Sequence, residues 1–356
     1  MNSCRVLVLG GYGFFGRRLV ERLERQPGLE LVVAGRTGRG AKAVALDAWA
    51  DDFPQRLAAL APDVLVNAAG PFQGQDYRVA RACIAARVHY IDLADAREFV
   101  AGVRVLDRAA RAAGVRVLSG ASSVPALSGA VVDHLVVGLA RVDSIDIGIS
   151  PGNRTERGMA TVQAILSYCG HPMPGSGPHP AYGWRGTRRH RYPDPIESRL
   201  LSPCDVPDLT LLPGRYPGAP RVSFGAGLEL PFLHRGMNAM ALLTRLGIVR
   251  DWSIHARWLK RAADAFRHWG SDAGAMHVTV IGERAGGEPV TRTWHLLALN
   301  GDGPSVPTLA ASALVRQLRE GRDPPAGAGP CIGQLTLAEF EREAQGLAIR
   351  MAEDLS

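Results

Sequence analysis

Four glycines, Gly10, Gly11, Gly13 and Gly16, punctuate LVLGGYGFFGRRL (residues 7–19), where an apolar run gives way to an amphipathic one. Two spacings are satisfied at once. Gly11, Gly13 and Gly16 read G-x-G-x-x-G, and Gly10, Gly13 and Gly16 read G-x-x-G-x-x-G. In such a corner the first glycine permits a tight turn, the middle one lets a diphosphate approach the backbone, and the last lets the helix pack close to the strand. The helix start then presents free N–H groups and partial positive charge to the phosphates. A bare turn would need none of the flanking pattern. Here the motif follows an apolar strand and opens a helix, the context in which it binds a dinucleotide. Gly11, Tyr12, Gly13, Phe14, Phe15 and Gly16 are therefore candidate cofactor-contacting residues.

The next apolar strand ends VVAGRT (residues 32–37). A site for NAD usually carries an acid here to accept from the ribose hydroxyls. This chain has Arg36 and Thr37 instead. A carboxylate would repel a 2′-phosphate, whereas a guanidinium beside a hydroxyl attracts one. The reading is NADP, with Arg39 in support. Asp47 has two readings, an acceptor from the adenine amino group and a cap for a helix over residues 48–53.

Three further breaks close apolar strands: VNAAGPFQG (66–74), YIDLADARE (90–98) and SGASSVPALSG (119–129). In a parallel sheet such carboxyl ends build the ligand crevice. Asn67, Ala68, Ala69, Gly70, Pro71 and Phe72 are expected beside the nicotinamide. Asp92 and Asp95 are candidate acid/base groups, because a carboxyl in an apolar crevice has a raised pKa; Asp95 could instead cap the following helix. Ser122, a candidate catalytic residue, and Ser123 could bond the substrate or carboxamide, or cap the helix after Pro125. The short-chain dehydrogenase mechanism is excluded, since no tyrosine has a lysine four residues on and Lys42 and Lys260 are the only lysines.

Strands are predicted over 5–9, 29–34, 44–46, 64–67, 90–93 and 115–118. Helices are predicted over 15–26, 53–60, 76–87 and 96–113. Apolar strands without in/out alternation, separated by helices, argue a Rossmann-type, doubly wound parallel α/β sheet. After Pro125 the rhythm changes. Helices over 126–139, 157–169, 238–246, 252–268, 306–320 and 337–348, strands over 144–149 and 222–230, and a hairpin of 276–282 with 290–299 predict a second α+β domain with an antiparallel sheet. Residues 170–220 read as a long irregular cover and 323–329 as a linker. The expected boundaries are 1–124 for the nucleotide domain and 125–330 for the second.

With AGR at 34–36, the four corner segments resemble the NADP-binding domain of the saccharopine dehydrogenase family over residues 5–130. More softly, SPGNRTERGMATVQAIL (150–166), HVTVIGE (277–283) and RTWHLLA (292–298) resemble a group of bacterial family members. The resemblance implies hydride transfer at a carbon–nitrogen bond, oxidising a secondary amine or reducing an imine. It also implies a C-terminal helix that returns to the first domain, for which 331–356 is the candidate. A substrate with several carboxylates needs cationic donors. Arg154 and Arg157 are candidates, with Arg185, Arg188 and His190, unless these are solvated arginines of an Arg-rich chain. No residue stands out as the acid, so a cofactor-binding sensor or scaffold without turnover is the competing reading.

Composition narrows the classes. Net charge is +7, but the basic residues are almost all arginines spread along the chain, which does not make a nucleic-acid footprint. Five cysteines, an odd number without C-x-x-C spacing, point to reduced thiols in a cytoplasmic protein and to no metal site. The early first strand leaves no room for a signal peptide, and no run of ~20 uncharged apolar residues spans a membrane. The most lipophilic stretch, 228–249, is broken by Glu229, His234, Arg235 and Arg245; it reads as a surface helix or lid, with peripheral membrane contact as the alternative. The expected partners are a small-molecule substrate and a second copy in a homodimer.

Overall fold

Val6, Leu7, Val8 and Leu9 are 0–1% exposed although they alternate direction along one strand. Both faces of that strand are therefore covered, as the unbroken apolar run requires. In the computed structural model, which describes residues 3–38, 43–173, 181–322 and 325–355, this strand (β1, Cys4–Leu9) is central to a sheet of seven. It pairs in parallel with β2 (Leu29–Gly35), which carries β3 (Ala43–Ala45) on its outer edge. On its other side lie β4 (Val64–Asn67), β5 (His89–Asp92) and β6 (Arg116–Ser119). The strand Gly327–Pro330 completes the sheet beside β6.

The helices that connect the first six strands are α1 (Phe14–Leu23), α2 (Phe53–Leu60), α3 (Arg78–Ala86), α4 (Arg97–Gly102) and α5 (Asp107–Ala113). One predicted helix over 96–113 is broken into α4, a 3-10 turn at Val103–Leu106, and α5. The reason is local. The Tyr77 hydroxyl donates to the Phe99 carbonyl at 2.7 Å, taking the acceptor that Val103 would use in a continuing helix. Gly102 admits it, since a Cβ there would sit 2.6 Å from that oxygen.

The chain divides into two compact units, Met1–Leu127 with Ser305–Leu335, and Ser128–Pro304 with Thr336–Ser356. The second unit begins with α6 (Ser128–Leu135), β7 (Arg141–Ser150) and α7 (Met159–Ser167). Then come β8 (Pro172–Met173), β9 (Ala181–Tyr182), β10 (Arg188–Arg191), β11 (Ser198–Pro203), α8 (Asp208–Leu211) and β12 (Arg221–Ala226). Helices α9 (Pro231–Arg245) and α10 (Ala256–Asp264) precede the hairpin of β13 (Gly274–Glu283) and β14 (Pro289–Ala298). Helix α11 (Leu309–Arg319) and strand β15 (Gly327–Pro330) belong to the first unit, and α12 (Leu337–Ala344) and β16 (Ile349–Leu355) close the second.

Its sheet runs β10-β11-β12-β7-β13-β14-β16 and is mixed rather than wholly antiparallel, because β12 lies parallel to β7. Residues 170–220 are not an irregular cover: β10 and β11 are strands of this sheet, and Trp184, Tyr192 and Ile196 are 1–2% exposed. RRHR carries no apolar alternation, so it could not announce a strand. Likewise Gly327–Pro330, of which 327–329 fell in the expected linker, is an edge strand, where a proline costs no ladder bond.

The last helix also departs from expectation. A capping box of Thr336 and Glu339 starts α12, the chain turns extended at Gln345, and β16 pairs with β14. Residues 336–356 thus belong to the second unit, and α11 with β15 are what return to the first.

Candidate functional site

The glycine corner is built by contact with backbone. Gly10 has φ +77°, and a Cβ on it would lie 2.9 Å from the Ala69 nitrogen at the end of β4. A Cβ on Gly11 would lie 2.6 Å from Val33 Cγ1, and one on Gly16 would lie 2.1 Å from the Gly10 carbonyl oxygen. Turn and helix are therefore as close as bare backbone allows. Gly13 is the N-cap of α1, extended at φ −73° and ψ 177°, and no side chain caps the helix. The first N–H groups, at Phe14 and Phe15, are left for an external acceptor.

Tyr12 lies across the end of β2. Its hydroxyl donates to the Val33 carbonyl at 3.3 Å, and a Cβ on Gly35 would meet its ring at 3.0 Å. Arg36 and Thr37 follow, both exposed. Arg39 and Lys42 lie outside the described residues. Asp47 accepts from the Trp49 N–H at 3.0 Å and so braces its own turn; the helix starts only at Phe53.

The segment after β4 is stapled in place. Asn67, 2% exposed, donates to the Tyr90 hydroxyl at 3.2 Å and accepts from the Ala69 N–H at 3.0 Å. Gln75 donates to the carbonyls of Ala69 (3.2 Å) and Pro71 (2.6 Å). Ala68, Ala69 and Pro71 are partly exposed and Gly70 is exposed, while Phe72 is buried against Phe99. Gln75 escaped the sequence reading because it lies beyond the strand-ending motif.

The two aspartates after β5 separate. Asp92 is fully buried, and its Oδ1 accepts from the Ser119 hydroxyl (3.0 Å) and from the N–H groups of Gly120 (2.8 Å) and Ala94 (3.0 Å). Burial pushes its carboxyl up to about 6 against the pull of these donors. It holds the ends of β5 and β6 together and presents no surface to a ligand, contrary to the catalytic expectation. Asp95 is half-buried and does not cap α4, whose N-cap is Ala96 with no side-chain bond. It accepts from Gln73 Nε2 at 3.3 Å, and burial raises its pKa against that bond. Ser122 and Ser123 are 7% and 9% exposed in the turn after Gly120.

An open hollow lined by Arg5, Leu29, Glu30, Val44 and Leu60 lies at the opposite, amino end of the strands and includes none of these residues.

In the second unit the arginine candidates differ in their partners. Arg157 donates to Asn153 Oδ1 at 2.6 Å, and Asn153 in turn donates to the Phe266 carbonyl at 2.7 Å. Burial lowers the Arg157 pKa. Arg154 is exposed, reaching only the His268 carbonyl at 3.4 Å. Arg188 donates to Asp146 at 2.7 Å, and the buried Nε of Arg185 has no acceptor.

His190 is stacked on His277 with ring centroids 3.5 Å apart, and its Nε2 lies 3.2 Å from His295 Nε2. The Tyr192 hydroxyl and Asp146 bracket His277 at 2.9 and 3.2 Å. This cluster was missed, though a signal existed: His277 and His295 stand equidistant from Gly286 and pair in register across the hairpin. Gly148 makes room for it, since a Cβ there would fall 2.2 Å from His277 Cε1.

Among the described residues no group of three or more His, Cys, Asp or Glu is placed to hold a metal, and no helix is long and apolar enough to cross a membrane. All five cysteines are free.

Residues 6–118 match the family described as the saccharopine dehydrogenase NADP binding domain. No curated protein matches the chain in sequence. Among solved structures, the apo saccharopine dehydrogenase (L-Glu forming) of Saccharomyces cerevisiae is similar with TM-score 0.69, over 99% of this chain and 100% of that chain, at 13% identity. The amine dehydrogenase of Mycobacterium smegmatis is similar with TM-score 0.51, over 92% of this chain and 94% of that chain, at 13% identity. At such identities the likeness is one of fold.

Proposed function

We propose, from the premise that residues 6–118 are an NADP-binding domain of the saccharopine dehydrogenase type, that the chain is an NADP-dependent oxidoreductase acting at a carbon–nitrogen bond of an amino-acid-like amine or imine. The observation that carries this reading is the backbone-to-backbone contact of Gly16 with Gly10, set beside an exposed Arg36 and Thr37 where an acid would stand for NAD. A cradle that a single Cβ would fill, with an uncapped helix start, fits a dinucleotide diphosphate.

Within this reading the Phe14 and Phe15 N–H groups hold the diphosphate, and the Arg36 guanidinium and Thr37 hydroxyl take the 2′-phosphate. Tyr12, laid over Gly35, borders the adenosine end. Asp47 borders it too, its carboxylate fixed by the turn it braces. The cofactor, when bound, supplies or accepts the hydride. The stapled segment from Asn67 to Phe72 borders the reacting end and keeps its backbone fixed. Asp95, oriented by Gln73, holds the proton exchanged with the substrate nitrogen; a pKa raised by burial lets it keep that proton at higher pH. Ser122 and Ser123 orient the substrate or carboxamide.

The test is NADPH oxidation by the full chain against imines formed from α-keto acids with amino acids or amines. Asp95→Asn is expected to lower kcat by about 100-fold with NADPH affinity retained. Imine reduction by the unaltered chain should fall as pH rises through the raised Asp95 pKa, and the variant should lose that limb. An unchanged profile removes Asp95 from the chemistry. Tight NADPH binding with no turnover on any amine or imine would favour the sensor reading.

A further inference from the structure

Helix α9 turns an apolar stripe toward solvent. Phe232, Arg235, Ala239, Leu242 and Leu246 recur at spacings of three and four, so they share one face, and all are exposed. Only His234 and Ala241 of this fifteen-residue helix are buried. The pattern continues along the chain. Leu246, Ile248, Ile254, Trp258 and Trp269 are 64–75% exposed. Phe232, Phe266 and Trp269 form one aromatic cluster, with ring centroids 5.0–5.9 Å apart. Seven of the twelve large hydrophobic side chains exposed among the described residues fall between Phe232 and Trp269. A solvated surface does not concentrate such groups without a use for them.

The charge of the same segment says what covers it. Residues 231–269 contain seven lysines and arginines against two aspartates, a net +5 out of the chain total of +7. Arg235, Arg257 and Arg261 are exposed beside the apolar groups. Two copies meeting through this face would oppose like charge. An anionic lipid surface would attract it, take the tryptophans at headgroup depth, and leave the arginines among the phosphates. We propose that α9, α10 and the turns flanking α10 form a peripheral docking face for an anionic lipid surface. The helices lie in the interface rather than across it, since no described helix has the length or hydropathy of a span.

Flotation of the full-length chain with phosphatidylcholine vesicles, with and without phosphatidylglycerol, tests this. The bound fraction is expected to rise at least about tenfold with phosphatidylglycerol and to fall at high salt. Tryptophan emission should shift to the blue on binding, a change that Trp184 and Trp294, 1–2% exposed, cannot supply. Trp258→Ser with Trp269→Ser should abolish flotation and shift while NADPH binding is retained. Arg257→Glu with Arg261→Glu should abolish the lipid preference. Absence of flotation, or equal flotation with both vesicles, overturns the proposal. So does a dimer in sedimentation velocity that Leu242→Asp dissociates, which would assign the face to a second copy.

Discussion

Arg36→Ala is expected to weaken NADPH binding by about 10- to 100-fold and NADH binding by less than about twofold. The guanidinium is exposed at the end of β2 and makes no hydrogen bond among the described residues, so its loss should act on the ligand and leave thermal stability unchanged. A charge-assisted, forked contact to a phosphate contributes about 1.5–3 kcal/mol, which sets that range. Titration calorimetry with the two cofactors separately reads it. Equal weakening of both would mean that Arg36 does not face the 2′-phosphate.

Gly16→Ala should do more damage, and with a sign that ordinary helix propensity does not give. Alanine normally stabilises a helix interior by about 1 kcal/mol over glycine. Here its Cβ would fall 2.1 Å from the Gly10 oxygen and 2.8 Å from both Gly10 C and Gly11 Cα, all of them backbone. Backbone cannot rotate away as a side chain can. The helix must retreat from the turn, at about 1–3 kcal/mol of overpacking, and the N–H groups retreat with it. We expect a lower melting temperature together with loss of measurable NADPH binding. Gly13→Ala is the instructive contrast. Its backbone is extended and its Cβ would lie 3.0 Å from the Gly10 oxygen, so the fold should survive while the diphosphate is crowded out. Should Gly16→Ala bind NADPH normally, the corner is not the site.

The first unit was legible because its signals are apolar and local. Phe53–Leu60 and Val64–Asn67 fall where their periodicity puts them, and the glycine corner announces its turn by spacing alone. What the sequence hid was held together by polar groups acting across distance. Strand β10 is held by its antiparallel ladder to β11, with Arg188 reaching Asp146 on β7, and β15 lies at an edge position that tolerates Pro330. The break after α4 depends on a hydroxyl from Tyr77, twenty-two residues before the carbonyl it takes. Of the two site aspartates, types and positions gave equal claims. Only burial and partners separate Asp92, which ties strands, from Asp95, which is half-buried with Gln73 as its donor.

The stacked imidazoles of the second unit, with His234 apart from them, have a consequence for acid. Burial holds His190 down to about 3 and His234 to about 4, and lowers His277 and His295 as well, against the raising pull of Asp146 and Asp354 and with Arg188 adding to the depression. These imidazoles take up protons less readily when folded than when unfolded, where they titrate near 6.5. Their contribution to stability is complete above that value and drains away as pH falls, because the unfolded chain alone gains the protons. Asp208, pushed up to about 7 by burial, opposes this by a single group. In the first unit Asp92 and Asp95 run the other way, since burial makes each prefer its proton when folded, whereas Arg78 and Arg111 hold the exposed Asp76 and Asp107 low. Acidification thus loosens the second half of the chain, while the shifts of the first oppose one another. Hydrogen exchange of the full chain at pH 7.5 and 5 is expected to show amides of β7, β13 and β14 losing protection first, while those of β1 and β4 hold; simultaneous loss would count against it.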